Sequence, residues 1–393
     1  MIYVVTVSKA ARLVLSLVIF AVLAGCAAGE KTAPTPRAAE KGQPTAAATK
    51  AAETVDPFMG DWQGQWELDD GSDSGPLAAQ VIALGKGQYQ ARLLKSFDAR
   101  VDPYIVLAGR QEDSKVRLSG HSKLRNDAVD LDAQAVCGTG FQPVKHGQDG
   151  RATGDKLTGT FKGRQEGDGQ EYPGKFSLSK TVRLSPTLGA KPPRGAVVLF
   201  DGKNFDQWKP ATAKPGQDSV QWKLVGGAME VAPGAGSIIT KKEFTDLNLH
   251  LEFRTPFMPE ARGQGRGNSG VYLQGRYEVQ VLDSYGLEGL DNECGGIYRV
   301  AAPLVNMCAP PMQWQTYDIT FRALRFDQAG NKKSDPCLTV IHNGVKIHDQ
   351  VNVPGSTTAA PGGDAAKPGG IYLQDHGNTV QFRNIWLVEL NGG

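Results

Sequence analysis

Polar and apolar positions alternate with a period of two along much of this chain, and that alternation predicts strands rather than helices. In Leu247–Arg254, Leu247, Leu249, Leu251 and Phe253 fall on one face, and Asn248, His250, Glu252 and Arg254 on the other. Residues 316–322 repeat the pattern, with Tyr317, Ile319 and Phe321 opposed to Asp318, Thr320 and Arg322. Residues 380–388 set Gln381 and Arg383 opposite Val380 and Phe382. Around Gly275-Arg276 two short runs read as a hairpin, with Glu278 and Gln280 on one face and Val279 and Val281 entering a core. Surface strands usually carry Thr, Lys and Ser outward, but here the outward set is His, Glu, Arg, Gln and Asp. Packed side by side, such strands predict a β-sandwich with one face built as a polar groove.

The first half of the chain carries shorter alternating segments, at 88–94, 104–107, 115–118, 156–162 and 175–184, separated by Gly-Asp, Asp-Gly and Ser-Gly turns. They predict a small antiparallel barrel or sandwich over 56–185, with Trp62 and Trp66 as core residues. Nothing in it resembles a catalytic constellation, so it reads as an accessory domain. Residues 185–194, with Pro186, Pro192 and Pro193, read as a linker to a second domain over 195–393. The composition agrees: 48 Gly and 23 Pro in 393 residues imply frequent turns and an all-β protein. Net charge is +2, from 43 basic and 41 acidic residues with no basic run, which argues against a nucleic-acid partner.

The amino terminus reads as a targeting segment. Lys9 and Arg12 precede an apolar run over 13–23 that ends in Leu23-Ala24-Gly25-Cys26. The run is short for a membrane span, and the small residues before Cys26 resemble a bacterial lipobox. Residues 1–26 are then a lipoprotein signal, with Cys26 lipidated and binding the membrane through its lipid. Ala27, rather than Asp, favours the outer membrane. Residues 27–55 are rich in Ala, Thr, Pro and Lys and read as a disordered tether. Export would leave Cys137, Cys294, Cys308 and Cys337, which allow three pairings. Cys294 and Cys308 bracket a short loop and are the preferred disulfide. Spacing of the kind that holds zinc is absent.

The segments LFDGKNFDQW (199–208), LHLEFRTP (249–256), GNSGVYLQGRYEVQVLDSYG (267–286), CGGIYRV (294–300), WQTYDITF (314–321), HNGVKIHD (342–349) and GGIYLQDHGNTVQFRNIWL (369–387) occur in one order. Together they resemble the 3-keto-disaccharide hydrolase family over 195–390 and not over 56–185. The outward polar faces suit the fold this implies, a concanavalin A-like jelly roll. The resemblance implies a 3-keto-glycoside substrate, whose ketone acidifies the neighbouring C2 hydrogen. A base can then remove that proton, the glycosidic oxygen can leave by elimination, and water can add to the enone. Such chemistry needs a general base, a group that stabilises the enolate oxygen, and an acid for the leaving oxygen.

Residue type and strand face supply the candidates. Glu278 is the first choice for base or acid, followed by Glu252 and His376. Gln280 and Arg383 could hydrogen-bond the enolate or ring hydroxyls, and Arg254 could supply charge. Asn268, Tyr298, Gln374 and Trp314 would shape the sugar pocket. Asp283 could join Glu278 and His376 around a divalent cation, the one cofactor the residues suggest. Each has a structural alternative. Glu252 with Arg254, or Glu278 with Arg383, could be cross-strand ion pairs, and Asp375-His376-Gly377 could be a turn. His342 and His348 flank Asn343-Gly344, a type I′ hairpin signal, and read as structural. An ordinary glycosidase needs two carboxylates across the scissile bond. The strand Glu278-x-Gln280-x-Leu282 lacks a second acid at both alternate positions. The rival assignment is a non-catalytic carbohydrate-binding lipoprotein that uses the same groove.

Overall fold

Alternation along the chain resolves into two β units in the computed structural model, which describes residues 56–124, 129–138, 155–165, 170–212 and 218–390. The expected signal, the lipidated Cys26 and the tether lie outside the described residues. In the first unit, eight antiparallel strands form a closed barrel: Gly60–Leu68, Ser74–Gly85, Gln88–Leu94, Ile105–Glu112, Lys115–Leu124, Val129–Gly138, Lys156–Gln165 and Glu171–Thr181. The first strand pairs with the last from Asp61↔Thr181 to Leu68↔Gly174, so the barrel has no open edge. Apolar side chains are buried within it, with Trp62, Leu107, Leu157 and Leu178 at 0% exposure. The Phe176 ring lies over Gly159, where a Cβ would sit 2.4 Å from the ring edge.

The second unit is a sandwich of two sheets. The smaller has the order Trp208–Pro210, Ile238–Thr240, Tyr372–Leu373, Ser269–Leu273, Tyr277–Val281. The larger runs Lys223–Val225, Ala228–Glu230, Gln381–Glu389, Leu247–Arg254, Gln315–Arg322, Cys337–His342, Val345–Asn352, with Val197–Phe200 added beside Gln381–Glu389. The inward apolar faces meet as the alternation requires: Leu247, Leu249, Leu251 and Phe253 share one core with Val271, Val279 and Val281. Across the gap, the Tyr277 and Phe321 rings stand 5.6 Å apart, and the Tyr317 hydroxyl donates to the Gln280 carbonyl at 2.7 Å. The protein is all-β, as the sequence implies.

Two turns show how local chemistry sets register. Asn343 and Gly344 both adopt positive φ, 49° and 83°, and join their strands as a two-residue turn. The turn expected at Gly275-Arg276 is instead a three-residue connection, Gln274 to Arg276, with Gln274 and Gly275 at φ 54° and 64°. Leu273 still pairs with Tyr277, so the faces of Glu278 and Gln280 are unchanged.

Two further expectations need correction. Within the linker expected over 185–194, residues 185–190 form a strap docked on the larger sheet. Ser185 Oγ lies 2.6 Å from Thr316 Oγ1, the Thr187 hydroxyl donates to Asp318, and Gly189 N donates to Glu252 Oε1 at 2.6 Å. The Cys294–Cys308 disulfide is not formed. Both residues are buried free thiols, with Cys294 Sγ 3.2 Å from the Tyr317 hydroxyl and Cys308 Sγ 3.4 Å from the Leu282 carbonyl.

The barrel also meets the sandwich directly. The buried Tyr285 hydroxyl donates to Asp61 Oδ1 at 2.8 Å, Arg183 donates to the other oxygen at 2.7 Å, and Arg92 reaches the Gly286 carbonyl. Gly286 has φ 68°, and a Cβ there would sit 2.5 Å from Ile82, so glycine permits both the bend and the close approach.

Candidate active site

Which polar face holds the chemistry depends on which sheet each strand joins. Glu252, Arg254 and Arg383 lie on the outer face of the larger sheet, whereas Glu278 and Gln280 lie on the outer face of the smaller one. A sandwich core separates the two. The single polar groove expected from the alternation is therefore two distinct polar faces.

On the larger sheet the charged residues satisfy one another and hold the strap. Arg383 Nε donates to Glu252 Oε2 at 2.6 Å and Asn384 Nδ2 to Oε1 at 2.9 Å. Asn384 has φ 46° and sits opposite the register shift between His250 and Glu252. That bulge lets two successive side chains, Arg383 and Asn384, reach the same carboxylate. His250 Nδ1 lies 2.6 Å from Asp318 Oδ1, and its ring stacks on Trp386 at 4.8 Å. Burial works against the Glu252 charge, but hydrogen bonds from His250 and Asn384 and the Arg383 guanidinium outweigh it, pulling its pKa down to about 2. Burial also opposes His250 protonation, yet Asp318 and Glu252 raise its pKa overall. Arg254 donates to Gln381, and the Arg254 and Arg383 guanidiniums lie 4.8 and 4.0 Å over the Trp314 ring. Glu252, Arg254, Trp314 and Arg383 thus form a structural clamp, and the ion pair found is Glu252–Arg383.

The smaller sheet presents a different chemistry. The hairpin register sets Tyr272 opposite Glu278 and Gly270 opposite Gln280, while Tyr272 also pairs with Tyr372 on the next strand. Alternation puts Asn268, Gly270, Tyr272, Glu278, Gln280 and Tyr372 on one face. The Glu278 carboxyl leans over Gly270: a Cβ there would sit 2.3 Å from Oε1 and 2.8 Å from the Tyr272 ring. Tyr272 interacts with this carboxyl through its hydroxyl, which also accepts from Gln374 Nε2 at 3.0 Å. The Tyr372 ring meets Tyr272 edge-on, with centroids 4.9 Å apart.

The electrostatics are those of a proton-handling group. Glu278 is 2% exposed. Burial drives its pKa from 4.5 up to about 8, and the Tyr272 hydrogen bond offsets only part of the rise. Burial, with the neighbouring Glu278 adding to it, raises the Tyr272 hydroxyl far above its ordinary range. A carboxyl poised near neutral pH beside a phenol is suited to general acid–base work.

Next to this pair lies a group of carboxamides. Gln280 Nε2 donates to Gln264 Oε1 at 3.0 Å, Asn268 Nδ2 donates to the Gln264 carbonyl at 2.8 Å, and Asn268 N donates to Asn378 Oδ1 at 2.7 Å. Tyr298 belongs here through its backbone, whose N–H donates to the Glu278 carbonyl at 3.2 Å. Of the expected residues, the structure thus gathers Glu278, Gln280, Asn268, Gln374 and Tyr298.

His376 and Asp283 are not placed to join Glu278 around a metal. His376 is exposed on a turn built by Asp375, whose carboxylate accepts from Gly377 N and Gly236 N at 2.9 Å each. Asp283 is 1% exposed and accepts from Arg266 Nε at 2.7 Å, so its charge is already compensated. Among the described residues, no group of three or more His, Cys, Asp or Glu side chains is placed to hold a metal ion. Sequence reasoning missed Tyr272, Gly270 and Gln264. The first two were within reach, because the predicted hairpin already places them beside Glu278.

A domain profile described as 3-keto-alpha-glucoside-1,2-lyase-like matches residues 195–388. A crystal structure of a candidate glycosyl hydrolase from Parabacteroides distasonis is 36% identical, covering 50% of this chain and 85% of that one, with a TM-score of 0.45. The chain belongs to the 3-keto-alpha-glucoside-1,2-lyase-like family. A second candidate glycosyl hydrolase structure from the same organism is 20% identical over 50% of this chain and 95% of that one, with a TM-score of 0.36. No curated protein matches. Membership makes the second unit a 3-keto-alpha-glucoside-1,2-lyase-like domain, and the barrel lies outside the matched residues. Within this lyase-like domain, the Glu278 face carries a buried acid with no cationic partner among the described residues, whereas the Glu252 carboxylate is paired with Arg383.

Proposed function

We propose that this protein cleaves the glycosidic bond of 3-keto-glycosides by deprotonation at C2 and elimination, with Glu278 as the proton-handling residue. One observation carries the reading: a buried carboxyl leans over Gly270 beside the Tyr272 hydroxyl, and its pKa stands at about 8. A carboxylate with so raised a pKa is a stronger base than an ordinary one, and about a tenth of it is ionised at neutral pH. Glu278 takes the C2 proton, and the electron pair of that C–H bond moves toward the C3 ketone. The enolate oxygen that forms needs donors, and the Gln280 amide and Tyr272 hydroxyl on the same face can supply them. Collapse of the enolate expels the glycosidic oxygen, which takes the proton held by Glu278, and water then adds across the enone, its oxygen to C1 and its hydrogen to C2, to complete hydrolysis. The lack of a second acid on the Glu278 strand fits this route better than two-carboxylate hydrolysis.

The rival reading is a sugar-binding protein without turnover, favoured by the tyrosines at 272, 298 and 372. Residues 56–393 supplied with a 3-keto-disaccharide and, separately, its unoxidised parent distinguish the two. Cleavage of the keto sugar alone, with deuterium from solvent appearing at C2, supports elimination. Binding of the keto sugar without cleavage favours the rival. We place the enzyme on the cell envelope, lipid-anchored at Cys26 and tethered through residues 27–55. Incorporation of a labelled fatty acid that disappears in Cys26→Ser tests the anchor.

A further inference from the structure

Outward side chains of a small barrel normally meet water, but one stretch of this barrel's wall does not. In Gly60–Leu68 the inward positions include Trp62 and Trp66, so Asp61 faces out, yet it is 3% exposed. On the neighbouring strand, Ser74–Gly85, every residue from Leu77 to Ala83 is buried, on both faces. Ala79 and Val81 enter the core with Trp62, while Gln80 and Ile82 point out and are buried all the same. A strand apolar on one face and solvated on the other would alternate; this one is covered twice.

The cover comes from two loops of the sandwich. In residues 283–293, the Tyr285 hydroxyl donates to Asp61 Oδ1 at 2.8 Å, and the Gly286 carbonyl accepts from Arg92 at 2.7 Å. In residues 258–266, Arg262 donates to the Leu84 carbonyl at 2.9 Å. Glu260 lies so near Gly85 that a Cβ there would sit 2.5 Å from its Cγ.

Both loops converge on Gln264. Its Nε2 donates to the Asn292 carbonyl at 2.7 Å, and its Oε1 accepts from Gln280 Nε2 at 3.0 Å. Gln280 Oε1 in turn accepts from Val281 N at 3.0 Å, so this amide is held at both ends and keeps one N–H for a ligand. A chain of contacts therefore runs from the barrel wall, through Tyr285 and Arg262, to the donor at Gln280. No member of it bonds the Glu278 carboxyl.

We infer that the barrel serves the reaction, with Asp61 and Tyr285 as positioning residues that set the Gln280 amide through the loops at 258–266 and 283–293. This rests on the reading of the Glu278 face as the reaction site and gives the barrel a part in it. A displaced donor stabilises the enolate less while leaving substrate binding alone, so the loss falls on kcat rather than KM.

The test assays residues 56–393 on a 3-keto-disaccharide, with each variant held below its own melting transition. Tyr285→Phe removes one hydroxyl and leaves Asp61 paired with Arg183, so the fold is kept. It should lower kcat about tenfold with KM nearly unchanged, less than the roughly hundredfold cost of deleting the donor outright in Gln280→Ala. Asp61→Ala should do the same, and Asp61→Asn, which still offers Tyr285 an acceptor, should restore most of the rate. The pH dependence set by Glu278 should not move in any of them. Added to Gln280→Ala, Tyr285→Phe should cost nothing more, because the hydroxyl acts through that amide. If Asp61→Ala fails to fold, Tyr285→Phe still decides. Unchanged kcat in Tyr285→Phe, or a loss that persists in full beside Gln280→Ala, overturns the inference and leaves the Glu278 site standing. No turnover by the natural protein, or full kcat in Glu278→Gln, overturns both.

Discussion

The carboxyl of Glu278 occupies space that any side chain at position 270 would need: a Cβ on Gly270 would lie 2.3 Å from Oε1. Gly270 lies in a strand and does not have positive φ, so close approach rather than backbone conformation calls for glycine here.

Gly270→Ala should therefore push the carboxyl away from Tyr272 while the sheet persists. Overpacking of this kind costs about 1–3 kcal/mol of stability. The expected result is a folded protein with a modestly lowered melting temperature and at least a hundredfold loss of kcat on a 3-keto-disaccharide, within the range of a displaced acid–base group. Melting curves and steady-state kinetics check it. Unchanged kcat would show that the carboxyl does not work from over Gly270.

Replacing the carboxyl itself is the sharper test. Glu278→Gln keeps the volume and removes the titrating proton, and it should lower kcat by about 10²–10⁴-fold. The fold should survive, because the native carboxyl is already mostly neutral at pH 7. Circular dichroism would establish the fold and single-turnover kinetics the loss.

Much of this was legible in the sequence, up to a definite point. Alternation assigned each residue to a face: Glu278 and Gln280 outward, Val279 and Val281 inward. It could not say which sheet a strand joins, because period two is the same in both. Leu247–Arg254 and Tyr277–Val281 show identical patterning, yet they lie in different sheets and their polar faces point to opposite sides of the sandwich. Glu252 and Arg383 were misplaced for that reason. The strap was hidden differently. Three prolines between 185 and 194 announce a linker, but part of its grip is through backbone groups, such as Gly189 N on Glu252 and the Ala190 carbonyl on Asn384. Sequence gives no sign of those. The Asn384 bulge, which brings a second donor to Glu252, is equally silent in the alternation.

The raised pKa of Glu278 also makes a stability prediction. Above pH 4.5 the unfolded chain loses the Glu278 proton, while the folded chain keeps it to about 8. The unfolded state then binds fewer protons, so stability falls as pH rises. The contribution is complete below about 4.5 and is lost as pH climbs through about 8, on the order of 5 kcal/mol in all. Denaturant titrations from pH 5 to 9 should show that slope in the natural protein and a flatter one in Glu278→Gln. Identical slopes would mean that Glu278 titrates normally.

The clamp on the opposite face should respond in the reverse sense. Glu252 is held down to about 2, so its stabilisation is present above 4.5 and lost as pH falls toward 2, about 3 kcal/mol in size. His250 is raised, so its contribution is complete below 6.5 and declines as pH rises through its folded value. Strap docking should thus be firmest between about pH 4.5 and 6.5. Glu252→Ala leaves Arg383 and His250 without their shared partner and frees Gly189 N, and breaking a buried pair costs about 3 kcal/mol. Because a sandwich core separates Glu252 from Glu278, the variant should keep its KM and kcat at temperatures where it stays folded. Proteolysis between 185 and 194 should speed up in step with the loss of stability. A large fall in kcat with an intact strap would instead bring Glu252 into the chemistry, and the clamp would no longer account for its burial.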